Sequence, residues 1–230
     1  MAVGPSKSTM SPPPYYDRDG KQGLKMTAGA TIDNTSHQIG KIGPNAITRI
    51  IEALRAVESP QAVQRIFQAA RLETYLSERP TEMVDEHEVV RLHNVLHNDL
   101  GDDLARTVGW IAGELTADYL LRFRIPRPVQ TALRCCSASF SSRLLSKAIA
   151  KNAWTFVGTG AFSARHGQPT LFTIRNCPIC RGQRSVEPYC DFYAATFERL
   201  YSRLVHRRAR VVEVGCQAKG ALACTFEIKW

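Results

Sequence analysis

RVVEVGCQAKGALACTFEIKW, residues 210 to 230, decides the fold. It reads as two short strands folded back on each other about Lys219-Gly220, a good tight-turn centre. Cys216 and Cys224 flank the connecting QAKGALA, so both thiols can return to one end of the hairpin. In a regular strand, the spacing of three between Glu213 and Cys216 points their side chains to opposite faces. Gly215 offers the bulge or break that brings them together. Cys190, which opens the preceding helix, can reach the same corner. Three thiols and a carboxylate are suitable donors for a tetrahedral metal site, with zinc favoured over iron because nothing here has an iron–sulfur spacing.

Two alternatives stand beside that reading. Cys177-Pro-Ile-Cys180 has the spacing of a zinc knuckle and makes a rival set with Cys216 and Cys224. Cysteines also pack as small hydrophobes in cores, with no ion at all.

Working outward from the final hairpin, residues 191 to 205 read as a helix with Phe192, Ala195, Leu200 and Leu204 inward. Before it, WTFVGTGAFSA (154–164) and PTLFTIRN (169–176) are aromatic, β-branched segments separated by Arg165-His166-Gly167-Gln168, a first hairpin. Upstream the period becomes helical. Ile47, Ile50, Ile51 and Leu54 share one face after Pro44, and Ser59-Pro60 is a capping residue followed by a first-turn proline. Val63, Ile66 and Phe67 give the apolar face of that second helix. A third helix is predicted from about Asp85 to Asp99, a fourth from Asp102 to Phe123, and two shorter ones near Pro128–Cys135 and Phe140–Ala150. Cys135 and Cys136 are expected to be packing residues.

The pattern predicts an α+β domain. A helical part (42–150) packs on one face of an antiparallel sheet of about four strands, built by two hairpins that bracket a helix (151–230). Residues 1–38, rich in Pro, Gly, Ser, Lys and Asp, are expected to form a disordered tail, and 39–230 a single domain.

The net charge of +9 is unevenly spread. Residues 122–230 carry 18 Lys/Arg against 5 Asp/Glu, whereas 41–121 carry 8 against 13, net charges of +13 and −5. The basic half can attract an anionic ligand, an acidic partner, a membrane surface or nucleic acid. The last is disfavoured, because there is no helix-turn-helix, ββα finger or basic-aromatic strand motif. Seven cysteines with no signal peptide and no membrane-spanning run suit a soluble chain in a reducing, cytoplasmic compartment. Peripheral attachment through the basic face needs no spanning segment.

Cys190, Glu213-x-x-Cys216, Cys224 and the closing Phe226-x-Ile228 together resemble the vinyl-4-reductase domain, a ligand-binding module related in fold to a trafficking-complex subunit. TADYLLRFRIPRP (116–128), AIAKNAWTFVGTGAF (148–162) and FERLYSRLV (197–205) narrow the resemblance to the bacteriochlorophyll 4-vinyl reductase family, known as BchJ. The likeness spans about residues 42–230. It implies a structural zinc at Cys190, Glu213, Cys216 and Cys224, and a role in bacteriochlorophyll synthesis on a divinyl magnesium porphyrin such as a protochlorophyllide. It also implies work alongside other pigment-biosynthesis enzymes, a homodimer, and a place at or near the photosynthetic membrane. Cys177 departs from the family's pattern and keeps the rival metal set open.

The family's enzymatic name requires a hydride donor. Gly158-Thr-Gly160 is followed by Ser163 where a dinucleotide fingerprint needs its third glycine, and no flavin site is visible. The sequence therefore favours a substrate carrier, or a component of vinyl reduction, over a self-sufficient reductase. A zinc-stabilised sensor or assembly module on the same fold is the alternative. For a porphyrin slot, Trp110, Tyr119, Trp154, Phe156, Phe162 and Phe172 are the candidate walls. His93 or His97 is the candidate axial donor, and Arg122, Arg124 and Arg127 are candidate forks for propionates.

Overall fold

The computed structural model describes residues 40–230. The predicted tail lies outside the described residues.

A two-residue strand β1 (Lys41–Ile42) leads into helices α1 (Asn45–Val57), α2 (Pro60–Ala69) and the single turn α3 (Thr74–Ser77). Strand β2 (Val84–Asp85) pairs antiparallel with β1 and opens α4 (Glu86–Leu100), which is followed by α5 (Asp102–Tyr119). Ser59 caps α2 as its sequence predicts, its hydroxyl accepting from the Ala62 N–H at 3.2 Å. The end of α5 widens into a π turn over Leu120–Arg124 before Pro126 stops it. Gln130 answers the disturbance, its amide donating to the carbonyls of Leu121 (2.5 Å) and Ile125 (2.8 Å). Helices α6 (Arg127–Cys135), α7 (Ala138–Lys151) and the turn α8 (Trp154–Val157) complete the helical part.

The sheet follows: β3 (Ala161–Arg165), β4 (Thr170–Arg175), then α9 (Asp191–Leu204), β5 (Arg210–Gly215) and β6 (Cys224–Lys229). Its order is β3-β4-β6-β5, antiparallel throughout. Burial alternates along β4 and β6, so Phe172, Ile174, Phe226 and Ile228 point inward, with Phe172 opposite Phe226. Against that face lies α9, whose Phe197, Leu200 and Tyr201 are buried. Behind α9 runs α5, so close that a side chain at Gly113 would strike the Phe192 carbonyl and come within 2.8 Å of Ala195 Cβ.

Two expectations are corrected. Trp154–Val157 is a helical turn, and the strand begins only at Ala161. Thr155 and Phe156 continue hydrogen bonding back to Asn152 and Ala153, carrying the chain on from α7 until Gly158, at φ +56°, turns it. Tertiary packing of Phe156 and Val157 overrides the strand propensity of the segment. Cys135 and Cys136 are exposed, because α6 turns Gln130 and Leu133 inward instead.

Candidate metal centre and its surroundings

The register between β5 and β6 slips between Glu213 and Gly215, a bulge at the predicted position. It turns the Glu213 carboxylate and the Cys216 thiol to the same corner. A 3₁₀ turn over Gln217–Lys219 closes on Gly220 at φ +88° and returns the chain to Cys224. Cys190 arrives from the start of α9, where its N–H donates to Glu213 Oε2 at 2.9 Å. The structure thus brings Cys190, Glu213, Cys216 and Cys224 together, with their ligand atoms all within 4.8 Å of one another.

The knuckle joins the same cluster. Cys177 and Cys180 form a second quartet with Cys190 and Cys224, so the predicted rival set gains Cys190 in place of Cys216. Sulfur–sulfur separations are 3.6 Å for Cys177–Cys190, 3.3 Å for Cys180–Cys224 and 3.5 Å for Cys190–Cys224. Gln217 pins both parts, its side-chain oxygen accepting from the Cys177 N–H at 2.7 Å while its own N–H points at Cys224 Sγ, 3.4 Å away.

Burial pushes the Cys190 and Cys177 thiols and the Glu213 carboxyl up from their ordinary values. The Cys177 thiol, with those of Cys190, Cys216 and Cys224, holds Cys180 well below the ordinary thiol value. Without a cation, burial therefore opposes thiolates at Cys177 and Cys190. A cation inverts that preference by binding thiolates directly.

The donor set fits such a cation. A tetrahedron with metal–sulfur bonds of about 2.3 Å has edges of about 3.8 Å, close to the observed sulfur spacings. Glu213 Oε1 is buried with no hydrogen-bond partner, and the carboxylate lies within 4.8 Å of the Cys190, Cys216 and Cys224 sulfurs, so it has a lone pair to spare for an ion.

Arg181, directly after the knuckle, ties the corner to the helical part. Its guanidinium meets buried Glu86 at the start of α4, 2.8 Å from Oε1. The same carboxylate accepts from the Thr159 N–H at 2.8 Å and the Thr159 hydroxyl at 2.6 Å. Gly158 packs directly on it. No motif marked Glu86 in the sequence; its partners, Thr159 and Arg181, are 73 and 95 residues away.

The predicted porphyrin walls separate into groups. Phe156, Phe162 and Phe172 meet in an aromatic cluster with Tyr193, Phe197 and Phe226 between α9 and the sheet, ring centroids 5.0–6.3 Å apart. Trp110 stands elsewhere, in a cleft of about 280 Å³ with Arg199, Arg203 and Arg207. Tyr119 stacks under Arg49 (4.9 Å) and lies near Phe123 and Arg124, while Trp154 is half exposed. Arg122 lies over Phe123, and Arg127 opens α6. His97 stacks on Tyr189 and bonds to Asp102, its Nδ1 2.9 Å from Oδ1. His93 is buried edge-on to Phe192, and its Nε2 has no partner. Burial, with His97 nearby, pushes its pKa down to about 3, so the ring is neutral.

Across 204 residues the chain is 40% identical to the bacteriochlorophyll synthase 23 kDa chain of Cereibacter sphaeroides, spanning 89% of this chain and 95% of that one. It belongs to the bacteriochlorophyll 4-vinyl reductase family. A second member, the bacteriochlorophyll synthase 23 kDa chain of Rhodobacter capsulatus, is 33% identical over 186 residues, 81% of this chain and 85% of that one. The vinyl-4-reductase domain family matches residues 170–230, from β4 to the last residue, and so contains every donor of both quartets. In this family member, the fold is similar to that of H-NOX proteins. An Fe(II) unliganded H-NOX from K. algicida superposes with a TM-score of 0.53 at 9% identity, covering 82% of this chain and 96% of that one. An H-NOX variant carrying 4-cyano-L-phenylalanine superposes at 0.50 and 14% identity, with 82% and 96% coverage. At such identities the likeness is one of fold. Among the described residues of this member, no helix is long and apolar enough to cross a membrane.

Proposed function

We propose that this chain serves bacteriochlorophyll synthesis by binding a divinyl magnesium porphyrin of the protochlorophyllide type, as a substrate carrier or as a component of 8-vinyl reduction. The observation that carries the reading is the 40% identity to a bacteriochlorophyll synthase chain over nearly its whole length. The site adds chemical support. His93 offers a neutral imidazole whose Nε2 has no partner, the type of donor a porphyrin magnesium accepts. Phe192 meets the His93 ring edge-on, and Phe156 and Phe162 gather on Tyr193 and Phe197 of the same helix, aromatic side chains of the kind that stack on a flat macrocycle.

Carriage is favoured over unaided hydride transfer by what surrounds Gly158-Thr159-Gly160. A dinucleotide loop needs open backbone N–H groups for a pyrophosphate. Here the Thr159 N–H is already given to Glu86, and that carboxylate would repel a phosphate. A structural zinc at Cys190, Glu213, Cys216 and Cys224 belongs to the same reading, supported by the spare lone pair of Glu213.

The reading places the protein at an anionic membrane surface. Residues 122–151 hold seven Lys/Arg and no Asp/Glu. Helix α7 turns Ser141 inward to the Leu133 carbonyl and Ser142 and Ser146 inward to the Tyr201 hydroxyl, while Phe140 (57% exposed) and Leu144 (46%) face out among Arg143, Lys147 and Lys151. Apolar and basic side chains interleaved on one exposed face suit an anionic interface. Co-flotation with vesicles containing anionic lipid, lost in Phe140→Ser/Leu144→Ser, checks it.

The function itself is tested by absorbance titration of the purified chain with divinyl and monovinyl protochlorophyllide. A shifted, saturable Soret band supports the reading, and unchanged spectra contradict it.

A further inference from the structure

The thiol and carboxylate donors are too numerous for one ion. A tetrahedral cation takes four ligands, yet six buried donors converge here: Cys177, Cys180, Cys190, Glu213, Cys216 and Cys224. They fall into two quartets that share two members, Cys190 and Cys224, and two tetrahedra joined along an edge require six donors with two in common. The shared pair stands 3.5 Å apart, the separation of two sulfurs that bridge a pair of metal ions. The outer pairs, Cys177 with Cys180 and Glu213 with Cys216, each complete one tetrahedron.

We propose that this corner holds two divalent ions, bridged by the Cys190 and Cys224 thiolates, one completed by Cys177 and Cys180 and the other by Glu213 and Cys216. The inference rests on the zinc reading of the second quartet and adds the first.

Charge argues for the second ion. One filled quartet of four anionic ligands and a divalent cation carries a net −2, and two quartets sharing two thiolates carry the same −2. The second ion thus recruits two more thiolates without deepening the buried charge. Each thiol releases its proton on binding. The loop geometry agrees, since the Cys177 N–H and the Cys224 sulfur are both held by Gln217, which fixes the knuckle against the final hairpin.

The test is the zinc content of the full chain, measured by mass spectrometry against quantitative amino-acid analysis. Two zinc per chain are expected, falling to one in Cys177→Ser/Cys180→Ser and to one in Glu213→Gln/Cys216→Ser. One zinc in the wild type overturns the proposal and leaves the single-site reading standing, whereas none overturns both. Because either double variant can fail to fold, cobalt(II) titration of the unaltered apo-chain provides the second measurement. Bridging thiolates couple two cobalt spins, so the paramagnetic signal per chain is expected to rise to one equivalent and fall toward two. A signal that rises and saturates at one equivalent contradicts the bridged pair.

Discussion

Arg181 lies 2.8 Å from Glu86 across ninety-five residues of sequence, joining the cysteine knuckle to the first turn of α4. Burial alone would push the Glu86 carboxyl up, but hydrogen bonds from Arg181 and Thr159 more than offset it and bring its pKa down to about 2. The folded value lies below the ordinary 4.5, so the contribution is full above that value and is lost as pH falls toward 2. Glu86→Gln is expected to cost about 2–3 kcal/mol at neutral pH, because Arg181 is left half buried and unpaired. Urea unfolding followed by circular dichroism at pH 7 and pH 3 checks both parts, with the variant's penalty shrinking at the lower pH.

His93 contributes an opposite pair of effects. Its unpartnered Nε2 burdens the fold but is available to the proposed magnesium ligand. His93→Leu is expected to stabilise the free chain by about 1 kcal/mol, through removal of a buried unpaired polar atom. The same change is expected to weaken pigment binding by about tenfold, or about 1.4 kcal/mol. Because the folded pKa of about 3 lies below the ordinary 6.5, the unfolded chain takes up a proton first as pH drops. Wild-type stability therefore falls between those values by up to about 1.4 kcal/mol per pH unit, a component that His93→Leu removes.

Gly113→Ala tests the seam between α5 and α9. The new methyl would drive into the Phe192 carbonyl and strain the bond from the Thr196 hydroxyl to the Gly113 carbonyl, now 3.1 Å. A loss of about 2–3 kcal/mol is expected, in the upper part of the range for overpacked sites, although alanine is the better helix former. Thermal unfolding measures it.

Metal removal is expected to loosen the end of the β5–β6 hairpin before the helices, because ligand binding and folding share one free energy there. Hydrogen exchange after chelation should accelerate at residues 213–224 and 177–190 while α1 and α5 stay protected. Uniform acceleration, or none, would count against a structural ion.

The final hairpin was legible because its chemistry is local: Gly215 permits a bulge, Gly220 closes the turn, and Glu213, Cys216 and Cys224 lie within twelve residues. Helices α1, α2 and α4 were legible from their apolar period and, at Ser59, a capping hydroxyl. Trp154–Val157 was not, since its β-branched and aromatic residues follow local strand preference, while its actual turn is set by contacts with residues far along the chain. The meeting of Cys177 and Cys180 with Cys190 and Cys224 was only half visible. The knuckle spacing could be read, but which distant thiols it joined depends on how the loop from Arg181 to Tyr189 folds back, tied by the Ser185 N–H to the Ala218 carbonyl. Glu86 and Trp110 illustrate the same limit, their surroundings being assembled from several elements.

The most direct test of the account is gel filtration of the full chain with equimolar divinyl protochlorophyllide and NADPH, with no other protein added, followed by pigment extraction and chromatography. The account predicts pigment co-eluting with the protein and recovered with both vinyl groups intact. Pigment that elutes free of the chain, or emerges as the monovinyl product, would contradict it.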